Sequence, residues 1–152
     1  MSRTDKSLDA WHVADARAGG DAAFARLVRA WHRRLVAHGW RLLRDRDRAE
    51  EAVQQAWMEI ARGLPRLRDD RAFPVWAYRI VTRRCARIVA GQVRDRHLTA
   101  TLEPEPGQRD AVEDRSDAAR LRQAVRALPP DQRAAIALFY FEELSVAEVA
   151  VA

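Results

Sequence analysis

Apolar residues return every three or four positions along most of the chain, which predicts helices and no strands. Phe24, Leu27, Val28, Trp31 and Leu35, continued by Leu42 and Leu43, keep the i, i+3, i+4, i+7 spacing of one buried helix face. Ala49, Ala52, Val53, Ala56, Trp57 and Ile60 form a second such stripe. Val81, Cys85 and Ile88 form a third, with Tyr78 at its edge. No segment alternates apolar and polar residues at period two, so the expected fold class is all-α.

Punctuation residues divide these stripes. A first helix is expected over residues 8–18, stopped by Gly19 and Gly20. Asp21 is the expected cap of a long second helix, in which Gly39 is the weak point. The third helix should run from about 47 to 62 and end at Gly63 and Pro65. The fourth should start near Pro74, at a first-turn position, and reach Gly91 or beyond. Residues 101–117 then change in kind, with two prolines, a glycine and six acidic groups, and read as a flexible acidic linker. Beyond it come a helix over 118–128, the turn Pro129-Pro130 and a helix over about 131–141. Ser145 with Glu148 three positions on is a capping box, so a last short helix starts there.

Charge sharpens this picture. The net charge of the 152 residues is +5, and Lys6 is the only lysine, all other basic residues being arginine. Residues 1–60 carry +2, residues 61–101 carry +7, residues 102–117 carry −4 and residues 118–152 none. The positive charge is concentrated around the fourth helix, which favours a nucleic-acid partner. Cys85 is the only cysteine, so an internal disulfide is excluded. The four histidines have no metal-ligand spacing, and no metal or cofactor is expected. No nucleophile–base pairing or glycine-rich phosphate loop points to an enzyme. The absence of a long apolar run and of an apolar stretch in residues 1–12 predicts a cytoplasmic protein with no membrane insertion.

Two helix faces carry candidate chemistry. On the third helix Glu51, Gln54, Gln55, Met58 and Arg62 point away from the apolar stripe. A solvated face is the ordinary reading, but an adaptable apolar Met58 among polar neighbours also suits a docking surface. On the fourth helix Arg79, Arg83, Arg87 and Arg94 gather opposite the stripe, with Trp76 on their side. Arginines neutralise phosphates and an aromatic ring stacks on an unpaired base, at roughly 1–3 kcal/mol per base. The same pattern also describes a solvated charged face with a boundary tryptophan. Cys85 reads as a small core residue.

The stretch AEEAVQQAWMEIARGL, residues 49–64, resembles region 2.2 of the sigma-70 family in its extracytoplasmic-function group, typically A-E-D-A-V-Q-E-x-F. Ala49, Glu50, Ala52, Val53 and Gln54 match, while Gln55 and Trp57 replace a Glu and a Phe. The resemblance implies that Glu51, Gln54, Gln55 and Met58 dock on the clamp helices of the largest RNA polymerase subunit. Phe73, Trp76, Tyr78, Arg79 and Ile80 are similar, at the same spacing, to the F-R-T-W-L-Y-R-I of regions 2.3 and 2.4. That implies contacts with the −10 promoter element by Trp76, Tyr78, Arg79, Arg83, Arg84 and Arg87. Arg83 and Arg87 stand where the family has Asn and Asp, so both changes add positive charge. Residues 127–150 resemble region 4, typically A-L-P-x-x-Q-R…E-G-L-S-x-x-E-I-A, with Ser145 and Glu148 in its helix-turn-helix.

The expected domains are a helical sigma region 2 over 1–100, the linker over 101–117 and an incomplete region 4 over 118–152. In the family further residues, including the −35 recognition helix, follow this point. The C-terminal segment is shorter than the roughly 40 residues that sustain a core alone. It is therefore expected to be loosely held, or to dock on the first domain through Phe139, Tyr140 and Phe141. The resemblance implies a sigma factor with core RNA polymerase and promoter DNA as partners, and an anti-sigma factor as a further partner class. The alternative is a truncated, sigma-like interaction module that binds polymerase or another protein without specifying promoters.

Overall fold

A computed structural model of the protein describes residues 3–99 and 117–152, all helices and turns. The helices are α1 (Arg3–Ala18), α2 (Asp21–Leu43), α3 (Arg46–Gly63), α4 (Phe73–Thr99), α5 (Asp117–Ala127), α6 (Pro130–Tyr140) and α7 (Val146–Val151). Two 3-10 turns, Leu64–Arg66 and Asp70–Ala72, carry the chain from α3 to α4. The expected linker lies outside the described residues except for Asp117, which opens α5.

The apolar stripes meet as their spacing requires. Leu27, Trp31 and Leu35 of α2, Val53, Ala56 and Ile60 of α3, and Ala77 and Val81 of α4 are all buried. Each large aliphatic side chain so buried contributes about 1.5–3 kcal/mol. Trp31 is the hub, with its ring edge-on to Phe73 at 5.3 Å and to Tyr78 at 6.0 Å. Gly39 does not break α2. A β-carbon there would stand 3.4 Å from that of Ala49, so at Gly39 the backbone of α2 comes close to α3.

Helix starts differ from the sequence expectation in detail. The first helix begins at Arg3 rather than residue 8. Gly20, not Asp21, is the cap residue of α2, and Asp21 is already helical. Gly19 and Gly20 have φ of 106° and 113°, which an L side chain rarely adopts, so this sharp turn replaces a side-chain cap. At α3 the cap is Asp45, whose carboxylate accepts from the Arg48 amide at 3.1 Å.

The C-terminal helices dock on the first four. Helix α6 packs on α2 and α4, and α7 packs on α4. Ala134, Ala137, Leu138 and Leu144 are buried in one core continuous with Leu42 and Val81. The expected aromatic contact is met only by Phe141, whose ring lies 4.3 Å from the Arg41 guanidinium of α2, and none of the three rings is buried. Phe139, Tyr140 and Phe141 are exposed, at 44%, 72% and 59%. Three consecutive residues spread over 200° of a helix and cannot share one buried face. Ala134, Ala137 and Leu138 do share one, and the two alanines let α6 approach closely. The capping box at α7 forms as expected: the Ser145 amide donates to the Glu148 carboxylate at 2.7 Å, and the Glu148 amide donates to the Ser145 hydroxyl.

Candidate nucleic-acid interface and docking face

Helix α3 presents Glu51, Gln54 and Met58 to solvent, with Gln55 half-buried beside them. Met58 is 54% exposed on a helix whose other large apolar side chains are buried. Gln55 donates to the Glu51 carboxylate at 3.3 Å, which orders this face along one helical turn. The inward alanines at 49, 52 and 56 hold α3 against its neighbours and so fix the direction in which Met58 points.

Helix α4 carries the arginine row, and the row is not uniform. Arg79 and Arg87 are exposed and make no ion pair with another described residue. Arg83 and Arg84 both turn to Glu59 of α3, Arg84 at 2.6 Å. Arg84 also reaches the Gln55 side-chain oxygen at 3.4 Å, so it braces α4 against the docking face of α3. Burial alone would raise the Glu59 carboxyl, but the hydrogen bonds and charges of Arg84 and Arg83 outweigh it and hold the group below the usual carboxylate range.

Trp76 is half-buried. Its ring edge lies over Gly63, where a β-carbon would come within 2.7 Å of Cζ2, and it packs near Phe73. The glycine that ends α3 therefore seats the indole.

Tyr78 corrects the sequence expectation. It is 2% exposed, and its hydroxyl donates to the Glu142 carboxylate between α6 and α7. A side chain so enclosed offers no surface to DNA in this arrangement. Its place at the edge of the apolar stripe was the signal for this role. Ser145 and Glu148 act as a helix cap, and their side-chain hydrogen bonds are directed to each other.

Three participants escaped the sequence reading. Glu59 lies one helical turn beyond Gln55, but its pairing depends on how α3 crosses α4. Glu142 is held by Tyr78 and by Arg41 at 2.6 Å, contacts across 64 and 101 positions. His38 is fully buried beneath this latch, its Nε2 2.9 Å from the Thr82 hydroxyl. Burial, then the Arg41 charge, pushes its imidazole down to about 3.

Two family models match the chain: sigma-70 region 2 over residues 27–95, and sigma-70 region 4 over residues 118–152. The protein is 32% identical over 149 residues to the ECF RNA polymerase sigma factor SigM of Mycobacterium tuberculosis, covering 97% of this chain and 72% of that one. It is 27% identical over 146 residues to the RNA polymerase sigma-H factor of Pseudomonas aeruginosa, covering 87% of this chain and 75% of that one. The chain belongs to the extracytoplasmic-function sigma factors. A sigma factor is not an enzyme but an initiation factor, and this one binds core RNA polymerase and promoter DNA in promoter recognition and transcription initiation. The region 2 match spans α3 whole and α4 as far as residue 95, and thus both faces described above. The region 4 match begins within α5 and takes in α6, α7 and the latch carboxylate Glu142. Among the described residues of this sigma factor, no helix is long and apolar enough to cross a membrane, and no three His, Cys, Asp or Glu side chains cluster as metal ligands.

Proposed function

We propose that this sigma factor docks on the clamp helices of the largest polymerase subunit through Glu51, Gln54, Gln55 and Met58, and engages the −10 element along α4. The observation that carries the reading is a pair of adjacent faces with opposite character. One is a polar helix face with Met58 exposed in it, and the other is a row of arginines with Trp76 beside it. An exposed methionine is adaptable contact area for a helical partner. Arginines beside an aromatic ring suit an unpaired strand. Arg79, Arg83 and Arg87 are the phosphate or base contacts, and Trp76 is the stacking platform. Arg84 braces the helix, and Tyr78 supports it from within.

The proposed division is region 2 over 1–100, the linker over 101–117 and region 4 residues over 118–152. The proposed compartment is the cytoplasm, where the polymerase and the promoter are. An anti-sigma factor for this chain would act by covering one of the two faces.

Run-off transcription with core polymerase on a library of promoter fragments tests the reading. Promoter-dependent initiation is the expected result. Core binding without initiation would instead identify an interaction module that no longer specifies promoters.

A further inference from the structure

The row of arginines on α4 divides into two classes by what each side chain touches. Arg79 and Arg87 face solvent without an ion pair among the described residues. Arg83 and Arg84 converge on the two oxygens of one carboxylate, Arg83 on Oε1 and Arg84 on Oε2 of Glu59. Two guanidinium groups bracketing two oxygens of one anion is the arrangement arginines make with a phosphate. Here the anion belongs to the protein itself. Glu59 is anchored on α3, whose buried alanines and Ile60 leave that helix no room to move away.

We infer that Glu59 is a positioning residue for nucleic-acid binding: it stands in for a phosphate on Arg83 and Arg84, and a nucleic-acid strand must displace it to use them. The inference rests on the reading of α4 as the nucleic-acid face and adds a regulator of its affinity. In the protein without DNA the two arginines are oriented, and one of their two charges is offset. Of these four arginines, Arg79 and Arg87 are then the ones ready for phosphates at first encounter. Exchanging one carboxylate for one phosphate conserves charge pairing, so the held arginines add little net affinity for arbitrary sequence. They contribute fully only when a strand lies close enough to replace Glu59 from both guanidinium groups. Glu59 thereby lowers nonspecific binding without removing the charges that a correctly seated strand can use.

The test is binding of the full chain to a fluorescent single-stranded oligonucleotide across a salt series, for the wild type, E59Q, R79A/R87A, R83A/R84A and E59Q/R83A/R84A. With Glu59 as the competing anion, E59Q binds more tightly than wild type. Its salt dependence steepens by about 0.7 in log–log slope for each arginine released. R83A/R84A weakens wild-type binding less than R79A/R87A does, and the E59Q gain disappears in the triple variant. An E59Q gain that persists without Arg83 and Arg84 would be a general charge effect and overturns the inference. So does an unchanged slope in E59Q with thermal stability retained. Loss of folding in E59Q is recognised by its melting curve, and the loss in R83A/R84A relative to that in R79A/R87A then decides: a loss as large as that of R79A/R87A overturns the inference. The R79A/R87A variant separates the two levels. Its weaker binding supports the nucleic-acid face, whereas unchanged binding removes that face and the role of Glu59 with it.

Discussion

The Tyr78 hydroxyl donates to the Glu142 carboxylate, and this bond ties the helix that carries the arginine row to the turn between α6 and α7. The Glu142 side chain is only 7% exposed and is paired with Arg41 at 2.6 Å. Arg41 in turn lies over the Phe141 ring at 4.3 Å. A buried carboxylate is tolerable only because both partners reach it. The phenol feels the same enclosure: burial, then the charge and hydrogen bond of Glu142, raise it well above the usual tyrosine range.

Removing the carboxylate should therefore detach the C-terminal helices before it unfolds the rest. Glu142→Ala strands a buried phenol and part of an arginine, at a cost of about 2–3 kcal/mol. Amide exchange should accelerate in α6 and α7 and stay slow in α2 and α3. Tyr78→Phe keeps the ring and should cost about 1–2 kcal/mol. A double-mutant cycle between the two positions with no coupling energy would show that the bond contributes nothing.

Glu143, next to the latch, adopts φ 54°, a left-handed conformation that costs an L-residue roughly 1–2 kcal/mol. The glycine of the region 4 pattern falls at this position. Glu143→Gly should raise stability by about 0.5–1 kcal/mol, the relieved strain exceeding the added freedom of the unfolded chain. Urea denaturation followed by circular dichroism reads the change, and a lowered midpoint refutes it.

Trp76 can be tested against its seat. Gly63→Ala places a β-carbon inside the indole, so either the ring or the end of α3 must shift, with a cost of about 1–3 kcal/mol that outweighs the helix propensity gained. Trp76→Ala should impair promoter opening, read by permanganate footprinting, more than it impairs polymerase binding. Equal losses in the two assays would mean that the indole only supports the fold.

Local spacing made much of this legible. The stripe from Ala49 to Ile60, the buried Cys85 and the Ser145–Glu148 cap depend on contacts within a few turns, and all three stand as their spacing predicts. The pairing of Arg83 and Arg84 with Glu59 was not legible, because it depends on the angle at which α3 crosses α4. The latch was harder still, since its three members come from α2, α4 and the α6–α7 turn. The Phe139–Phe141 run was expected to supply contact area as a unit, but helical geometry disperses the three rings, so Phe141 meets Arg41 of α2 while Phe139 and Tyr140 stay exposed. Tyr78 shows the opposite error: a family motif assigned it to DNA, whereas its own apolar neighbours assigned it to the core.

His38 gives the fold an acid-sensitive point. Its ring contacts Tyr78 edge-on, bonds Thr82 and lies near Arg41, so no anion stabilises its protonated form. The native state keeps it neutral down to about 3, while the unfolded chain protonates it near the ordinary imidazole value of 6.5. Stability from this residue is thus complete above pH 6.5 and lost as pH falls from there toward 3. Thermal melts of the wild type and His38→Gln across that window should differ in slope, the variant declining less steeply. Parallel curves would mean that carboxylates alone set the acid response.

Met58 separates docking from folding more cleanly than any buried residue can. With over half its surface in solvent, it has little to lose when replaced, and Met58→Glu should change stability by less than about 0.5 kcal/mol. On a polymerase interface the same change puts a desolvated charge against a helical partner and should weaken core binding by about tenfold or more, that is about 1.4 kcal/mol. Binding of labelled core enzyme measures the loss, and DNA binding by the free chain serves as the control. Reduced core binding with DNA binding retained assigns the α3 face to polymerase. Unchanged core binding would move the docking surface elsewhere on the molecule, since no other residue of that face places so much apolar area in solvent.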